Sequence, residues 1–199
     1  MGPGSPLPVR ARWLGVLAGL LASVVGVSCG EPMRGVEIAD AEAAPPLRLV
    51  AADSTRFDLA EHKGSIVLVY FGYTHCPDVC PTTLSDWAQA RRALGDRAAR
   101  VQFVFVSVDP ERDTPELAQA YARQFDRAFV GLTGTEAQID SMKAAWRIAA
   151  YPEGDTRTRA YSVAHPAYTF LVDRQGRLRF LYEPGVRGEE LARDLRKLL

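Results

Sequence analysis

The run Ile66-Val67-Leu68-Val69-Tyr70-Phe71 is the most strand-like in the chain. Through Gly72-Tyr73-Thr74-His75 it leads to Cys76-Pro77-Asp78-Val79-Cys80-Pro81, followed by an amphipathic stretch that reads as a helix. Two cysteines therefore sit where a buried strand hands over to a helix N-terminus. Unsatisfied backbone N–H groups and the positive end of the helix dipole favour thiolate over thiol there. If the helix has begun near Cys76, the four-residue separation puts both sulfurs on one face of its first turn. That arrangement suits two sulfurs gripping one soft metal ion, or two sulfurs cycling through a disulfide. The pair alone leaves both readings open.

The rest of the chain supplies a sheet around this junction. Residues 30–46, rich in Ala, Pro and acidic side chains without periodicity, read as a flexible tether. Leu47 to Val50 and the segment around Phe57-Asp58-Leu59 suit short leading strands. After the cysteine pair, Leu84, Trp87 and Ala88 mark a helix ending near Gly95. Val101 to Val108 is a second buried strand, stopped by Asp109-Pro110. Thr114-Pro115 starts a helix to about Phe125, and Phe129 to Leu132 is a short strand. Thr135 and Gln138 form a capping box for a helix running to about Ile148. Tyr151 to Arg159 reads as an exposed loop. Tyr168 to Val172 and Leu178 to Tyr182 flank the turn Asp173-Arg174-Gln175-Gly176 as a hairpin, and Gly188 to Leu199 closes the chain as a helix. This order predicts an α/β fold, a central mixed β-sheet flanked by helices, over residues 47–199.

The N-terminus predicts export. Arg10 and Arg12 precede Trp13 to Gly30, which carries no charge, so residues 1–29 read as a secretory signal or membrane anchor. Gly26-Val27-Ser28-Cys29-Gly30 resembles a bacterial lipoprotein box, with Cys29 as the lipidation site; an uncleaved anchor and a simple cleaved signal are the alternatives. All three send the domain to the outer side of the cytoplasmic membrane, and the anchored forms hold it on the bacterial cell membrane, facing the periplasm or extracytoplasmic space. The chain has 3 cysteines, so assigning Cys29 to lipid leaves Cys76 and Cys80 as a matched pair in an oxidising compartment. Basic and acidic residues number 24 each, and no basic excess points to nucleic acid.

A strand, a cysteine pair opening a helix, and a closing hairpin and helix resemble the thioredoxin-like fold. The spacing departs from the C-x-x-C of the redox enzymes, since three residues separate Cys76 from Cys80. Phe71-Gly72-Tyr73-Thr74-His75-Cys76-Pro77-Asp78-Val79-Cys80-Pro81 instead resembles the signature of the Sco/SenC family of copper proteins. Ser107-Val108-Asp109-Pro110-Glu111-Arg112-Asp113-Thr114 and Val130-Gly131-Leu132-Thr133-Gly134 match the same family. The resemblance implies a third copper ligand, a histidine just before the hairpin. His165, 85 residues after Cys80, occupies that place. Pro166 follows it and biases its backbone towards an extended form.

Two thiolates and an imidazole suit Cu(I), with imidazole tolerating Cu(II) as well. Zinc would normally take a fourth ligand, and iron–sulfur clusters four cysteines. The resemblance thus implies a membrane-tethered copper chaperone delivering copper to the copper-A centre of cytochrome c oxidase, and not an enzyme in the turnover sense. Implied partners are the oxidase subunit carrying that centre, a thiol reductase, an upstream periplasmic copper donor and the membrane itself. The rival is a thiol–disulfide oxidoreductase using Cys76 and Cys80 to keep the oxidase cysteines reduced. A peroxidase is disfavoured because both cysteines sit together. Asp78, between the cysteines, and Asp109 are candidates for supporting the metal or facing a partner. Taken alone, His165 would more often be structural, a C-x-x-x-C pair could be a plain disulfide, and Asp109-Pro110 could be a turn stop. His75 should point away from Cys76, and His62 reads as a solvated turn residue.

Overall fold

A computed structural model describes residues 1, 2, 4 and 31–199. The leader, with Cys29 and its candidate lipidation, lies outside the described residues. Among the described residues no helix is long and apolar enough to cross a membrane. In chain order the strands and helices are β1 (Val36–Glu37), β2 (Arg48–Val50), β3 (Arg56–Asp58), β4 (Ile66–Gly72), α1 (Val79–Leu94), β5 (Val101–Ser107), α2 (Pro115–Phe125), β6 (Val130–Leu132), α3 (Glu136–Trp146), β7 (Tyr151–Glu153), β8 (Ser162–Ala164), β9 (Thr169–Val172), β10 (Leu178–Tyr182) and α4 (Gly188–Leu198).

Six strands form one sheet in the order β1-β10-β9-β4-β5-β6. β4, β5 and β6 run parallel, whereas β9 pairs antiparallel with β4 and β10 antiparallel with β9. Strands β4 and β5 are central and covered on both faces, which is why they read as continuous apolar runs without alternation. The pleat of β4 sends Tyr70 to Trp87 of α1, with ring centroids 6.2 Å apart, and Phe71 to the opposite face, 5.2 Å from Trp146 of α3. Phe103 and Phe105 lie on the Tyr70 side and meet Trp87 and Tyr121 of α2. α4 joins α1 on that face; a Cβ on Gly188 would come within 2.5 Å of the Asp86 carbonyl oxygen. α3 shares the other face with the β2–β3 ladder, its Trp146 Nε1–H donating to the Pro46 carbonyl at 3.1 Å. The result is a thioredoxin-like fold with the expected C-terminal hairpin, β9–β10, and helix.

The helix boundaries follow local chemistry. Thr114 caps α2 by accepting from the Leu117 N–H, with Pro115 in the first turn. Thr135 and Gln138 make the predicted capping box for α3. That helix stops at Trp146, short of Ile148, because Arg147 turns left-handed at φ 54° and its N–H closes on the Lys143 and Ala144 carbonyls.

Two segments differ from expectation. The stretch read as a tether carries β1, with Val36 opposite Leu181 and Glu37 opposite Phe180. Both β1 side chains are exposed, so pairing of the backbone leaves no apolar pattern in the sequence. The segment read as an exposed loop, Tyr151 to Arg159, begins with β7, which pairs with β8 as a separate two-stranded ladder. All three β7 residues are exposed and the middle one is Pro152, which masks the strand. This ladder matters because β8 ends immediately before His165.

Candidate metal centre

The site lies at the C-terminal end of β4, where the chain turns into α1. The helix begins at Val79, later than a start at Cys76, and the Asp78 side chain makes no capping bond. Instead the Cys80 N–H points at Cys76 Sγ, 3.4 Å away, so sulfur takes the role that a cap oxygen usually has. This places negative charge on Cys76 at the positive end of the helix.

Cys80 is fully buried. Tyr70 O–H donates to its sulfur at 3.6 Å from the floor of the site. The sulfur also rests on Gly72, where a Cβ would come within 2.8 Å of it. Only a residue without a side chain leaves that space at the end of β4. Cys76 is nearer the surface, at 9% exposure, and neither cysteine is in a disulfide.

The third group arrives from a distant part of the sequence, at the start of the neighbouring antiparallel strand β9. β8 ends at Ala164 and β9 starts at Thr169, so His165 opens the short link between them. Its Nε2 lies 3.7 Å from Cys80 Sγ. Tyr70 and Tyr73 hold the ring edge-on, with centroids 6.1 Å and 5.7 Å from it. Nδ1 is 3.3 Å from the Pro166 carbonyl oxygen. A carbonyl can only accept, so the contact is a hydrogen bond in the Nδ1-protonated tautomer, the one that would also present Nε2 to a metal. The ligand atoms of Cys76, Cys80 and His165 all lie within 4.8 Å of one another. Two sulfurs and one imidazole nitrogen are a soft donor set that could hold a thiophilic ion.

The two thiols are not equivalent. Cys76 is held well below the ordinary thiol range, chiefly by the hydrogen bond from Cys80 and further by His165 and the backbone N–H groups of Asp78 and Cys80. Cys80 is pushed up, by the same pairing with Cys76 and by burial. Without metal the pairing thus favours thiolate on Cys76 and keeps the proton on the Cys80 side.

Asp78 is exposed beside the sulfurs, whereas Asp109 is buried and does not reach them. The Asp109 carboxylate instead accepts from Arg112 Nε at 2.5 Å and from Tyr161 O–H at 2.8 Å. His75 is exposed and turned away, its Nδ1 3.1 Å from Thr74 Oγ1 and 3.6 Å from Asp113 Oδ1. His62 stacks on Phe57 at 4.5 Å, a packing role that the sequence reading did not assign. Four positions that shape the site were not singled out: Tyr70, Gly72, Tyr73 and Asp113. Asp113 is buried and accepts from Thr74 N–H at 2.8 Å and from the Thr74 and Ser107 hydroxyls, tying the cysteine loop to the end of β5. Ser107 and Asp113 both fall within the second matched stretch of sequence, which was the signal available for them.

The chain resembles known proteins of one family. The SCO1/SenC family model matches residues 36–199. A SCO2-like protein of Rickettsia felis is 35% identical over 130 residues, covering 65% of this chain and 63% of its own length. The chain thus spans less than two thirds of that relative. The apo Sco1 protein of Thermus thermophilus superposes with a TM-score of 0.78 at 33% identity, covering 86% of this chain and 99% of that one. Copper-bound ScoI of Bradyrhizobium japonicum gives a TM-score of 0.73 at 36% identity, covering 79% of this chain and 100% of that one.

Proposed function

The chain belongs to the SCO1/SenC family, and from that premise we propose that it is a copper chaperone that holds one copper ion between Cys76, Cys80 and His165. The observation that carries this reading is the convergence of those three ligand atoms within 4.8 Å at a partly buried position. The donor set fits the cargo: thiolates favour Cu(I), and the imidazole permits Cu(II). Cys80 anchors the ion from the buried side, held by Tyr70 and Gly72. Cys76, nearer the surface, is the ligand that an incoming thiolate of a recipient would replace first. Exposed Asp78 lies beside it and is placed to meet that recipient.

The proposed recipient is the copper-A subunit of cytochrome c oxidase, as the family resemblance implies. An upstream periplasmic donor would supply the ion, and a thiol reductase would keep both cysteines reduced in an oxidising compartment. We further propose that residues 1–29 export and anchor the protein, with Cys29 lipidated, that the link to the folded domain falls within 30–46, and that residues 47–199 carry the copper site outside the cytoplasmic membrane. The strand β1 within that link shortens its free part.

A second reading rests on the adjacent free cysteines, Cys76 lying at the helix start. A dithiol whose outer member favours thiolate is also prepared to attack a disulfide. The function is tested by mixing copper-loaded domain with a reduced, metal-free copper-A domain. Transfer of copper is the expected result; thiol exchange without copper transfer would favour the oxidoreductase.

A further inference from the structure

We propose that Arg112 is a positioning residue for His165: it locks the strand pair that delivers the imidazole to the sulfurs. This rests on the copper reading above. Arg112 lies in the β5–α2 connection, and its side chain is only 3% exposed. Its Nε pairs with Asp109, and its Nη1 donates to two backbone carbonyls in the β7–β8 connection, Tyr161 at 2.7 Å and Arg159 at 3.1 Å. The guanidinium also lies 3.6 Å over the Tyr161 ring and 5.5 Å from that of Tyr73. The Tyr161 hydroxyl returns to Asp109 at 2.8 Å and to Glu111 at 3.2 Å.

The consequence is a closed loop of contacts. Arg112 and Asp109 grip the chain at Arg159 and Tyr161, just before β8, and β8 runs directly into His165. Tyr73 touches both ends of this path, since its ring neighbours Arg112 and His165. The β7–β8 ladder is short, exposed along β7 and separate from the main sheet, so it has little of its own to hold it in place. A planar guanidinium with several donors in fixed directions can bind two carbonyls and a carboxylate together; an ammonium cannot reproduce that fork. Groups that orient a metal-binding histidine without touching the metal typically change affinity by roughly 10- to 100-fold.

The test uses the metal-free and copper-loaded domain carrying Arg112→Lys, and a second form carrying Asp109→Asn with Arg112→Met, which removes the ion pair without leaving a buried charge unpaired. In metal-free protein, NMR of the histidine rings should show His165 losing the ring-current shifts imposed by Tyr70 and Tyr73, most in the double variant. Cu(II) affinity should fall by roughly 10-fold or more, with loss of nitrogen hyperfine structure, while Cu(I), held mainly by the sulfurs, changes less. Arg112→Lys should lie between wild type and the double variant. Unchanged His165 shifts with unchanged Cu(II) affinity in the folded double variant would overturn the proposal. If that form does not fold, the same outcome in Arg112→Lys would overturn it. Failure of the wild-type domain to bind copper would remove the copper reading alone, because the metal-free ring shifts still decide whether Arg112 positions His165.

Discussion

The Cys80 sulfur and Nε2 of His165 lie 3.7 Å apart although 85 residues separate them along the chain. The two sulfurs are brought together locally, by the loop that enters α1 and the Cys80 N–H that points at Cys76 Sγ. The imidazole joins them only when β4, β9 and the β7–β8 ladder are all in place. The site is therefore half local and half tertiary, and the two halves can be perturbed separately.

Gly72→Ala perturbs the local half. The new Cβ would sit 2.8 Å from Cys80 Sγ and 2.9 Å from the Tyr70 ring, both in the core. Neither neighbour can swing away, so overpacking should cost about 1–3 kcal/mol. Denaturant unfolding should register that loss, and copper titration should show weaker binding in the folded fraction.

The Cys76 thiol gives a pH signature in the metal-free, reduced domain. Its folded pKa is depressed, principally by the bond from Cys80, so the folded state binds fewer protons here than the unfolded state. The stabilisation is therefore complete above the ordinary thiol pKa and is lost as pH falls towards the folded value. Alkylation follows the same asymmetry. An ordinary thiol should slow by roughly 50- to 100-fold between pH 8 and pH 6. Cys76 should keep nearly its full rate across that interval, and buried Cys80 should stay unmodified. Mass-mapped alkylation with pH checks both.

Much of this was legible in the sequence, for identifiable reasons. β4 and β5 are buried on both faces and so carry uninterrupted apolar runs; Thr114-Pro115 and the Thr135–Gln138 box write helix starts in local chemistry. β1 and β7 have exposed side chains, and the backbone pairing that places them leaves no apolar pattern. At the site, the cysteine pair at a strand-to-helix junction was visible but left metal and disulfide both open, whereas His165 was identified through family resemblance. The grip of Arg112 on the Tyr161 carbonyl spans 49 residues and uses a backbone acceptor, which no side-chain motif encodes.

His165→Ala separates the chaperone from the reductase. Disulfide exchange needs only Cys76 and Cys80. Copper holding needs the third ligand, because two sulfurs alone do not stabilise Cu(II). The variant should keep a reducible Cys76–Cys80 disulfide of near-normal potential, lose Cu(II) binding and fail to support oxidase assembly in a deletion strain. Full restoration of oxidase activity without added copper, with Cys76→Ser inactive, would favour the reductase.

The proposed anchor is tested at Cys29. Mass spectrometry of the native protein should find a diacylglyceryl-modified N-terminus at that residue, and Cys29→Ser should block processing. A mature chain still beginning at Met1 would point to an uncleaved anchor instead.

The central claim is one copper per chain on two sulfurs and one imidazole. X-ray absorption of the reduced domain after Cu(I) addition and removal of excess metal tests it most directly, with Cys80→Ser as the control. The account predicts one copper per chain with two sulfur neighbours and one nitrogen neighbour, and no tightly held copper in the variant. Stoichiometric, tightly held copper in Cys80→Ser, or a wild-type site without two sulfurs, would contradict it.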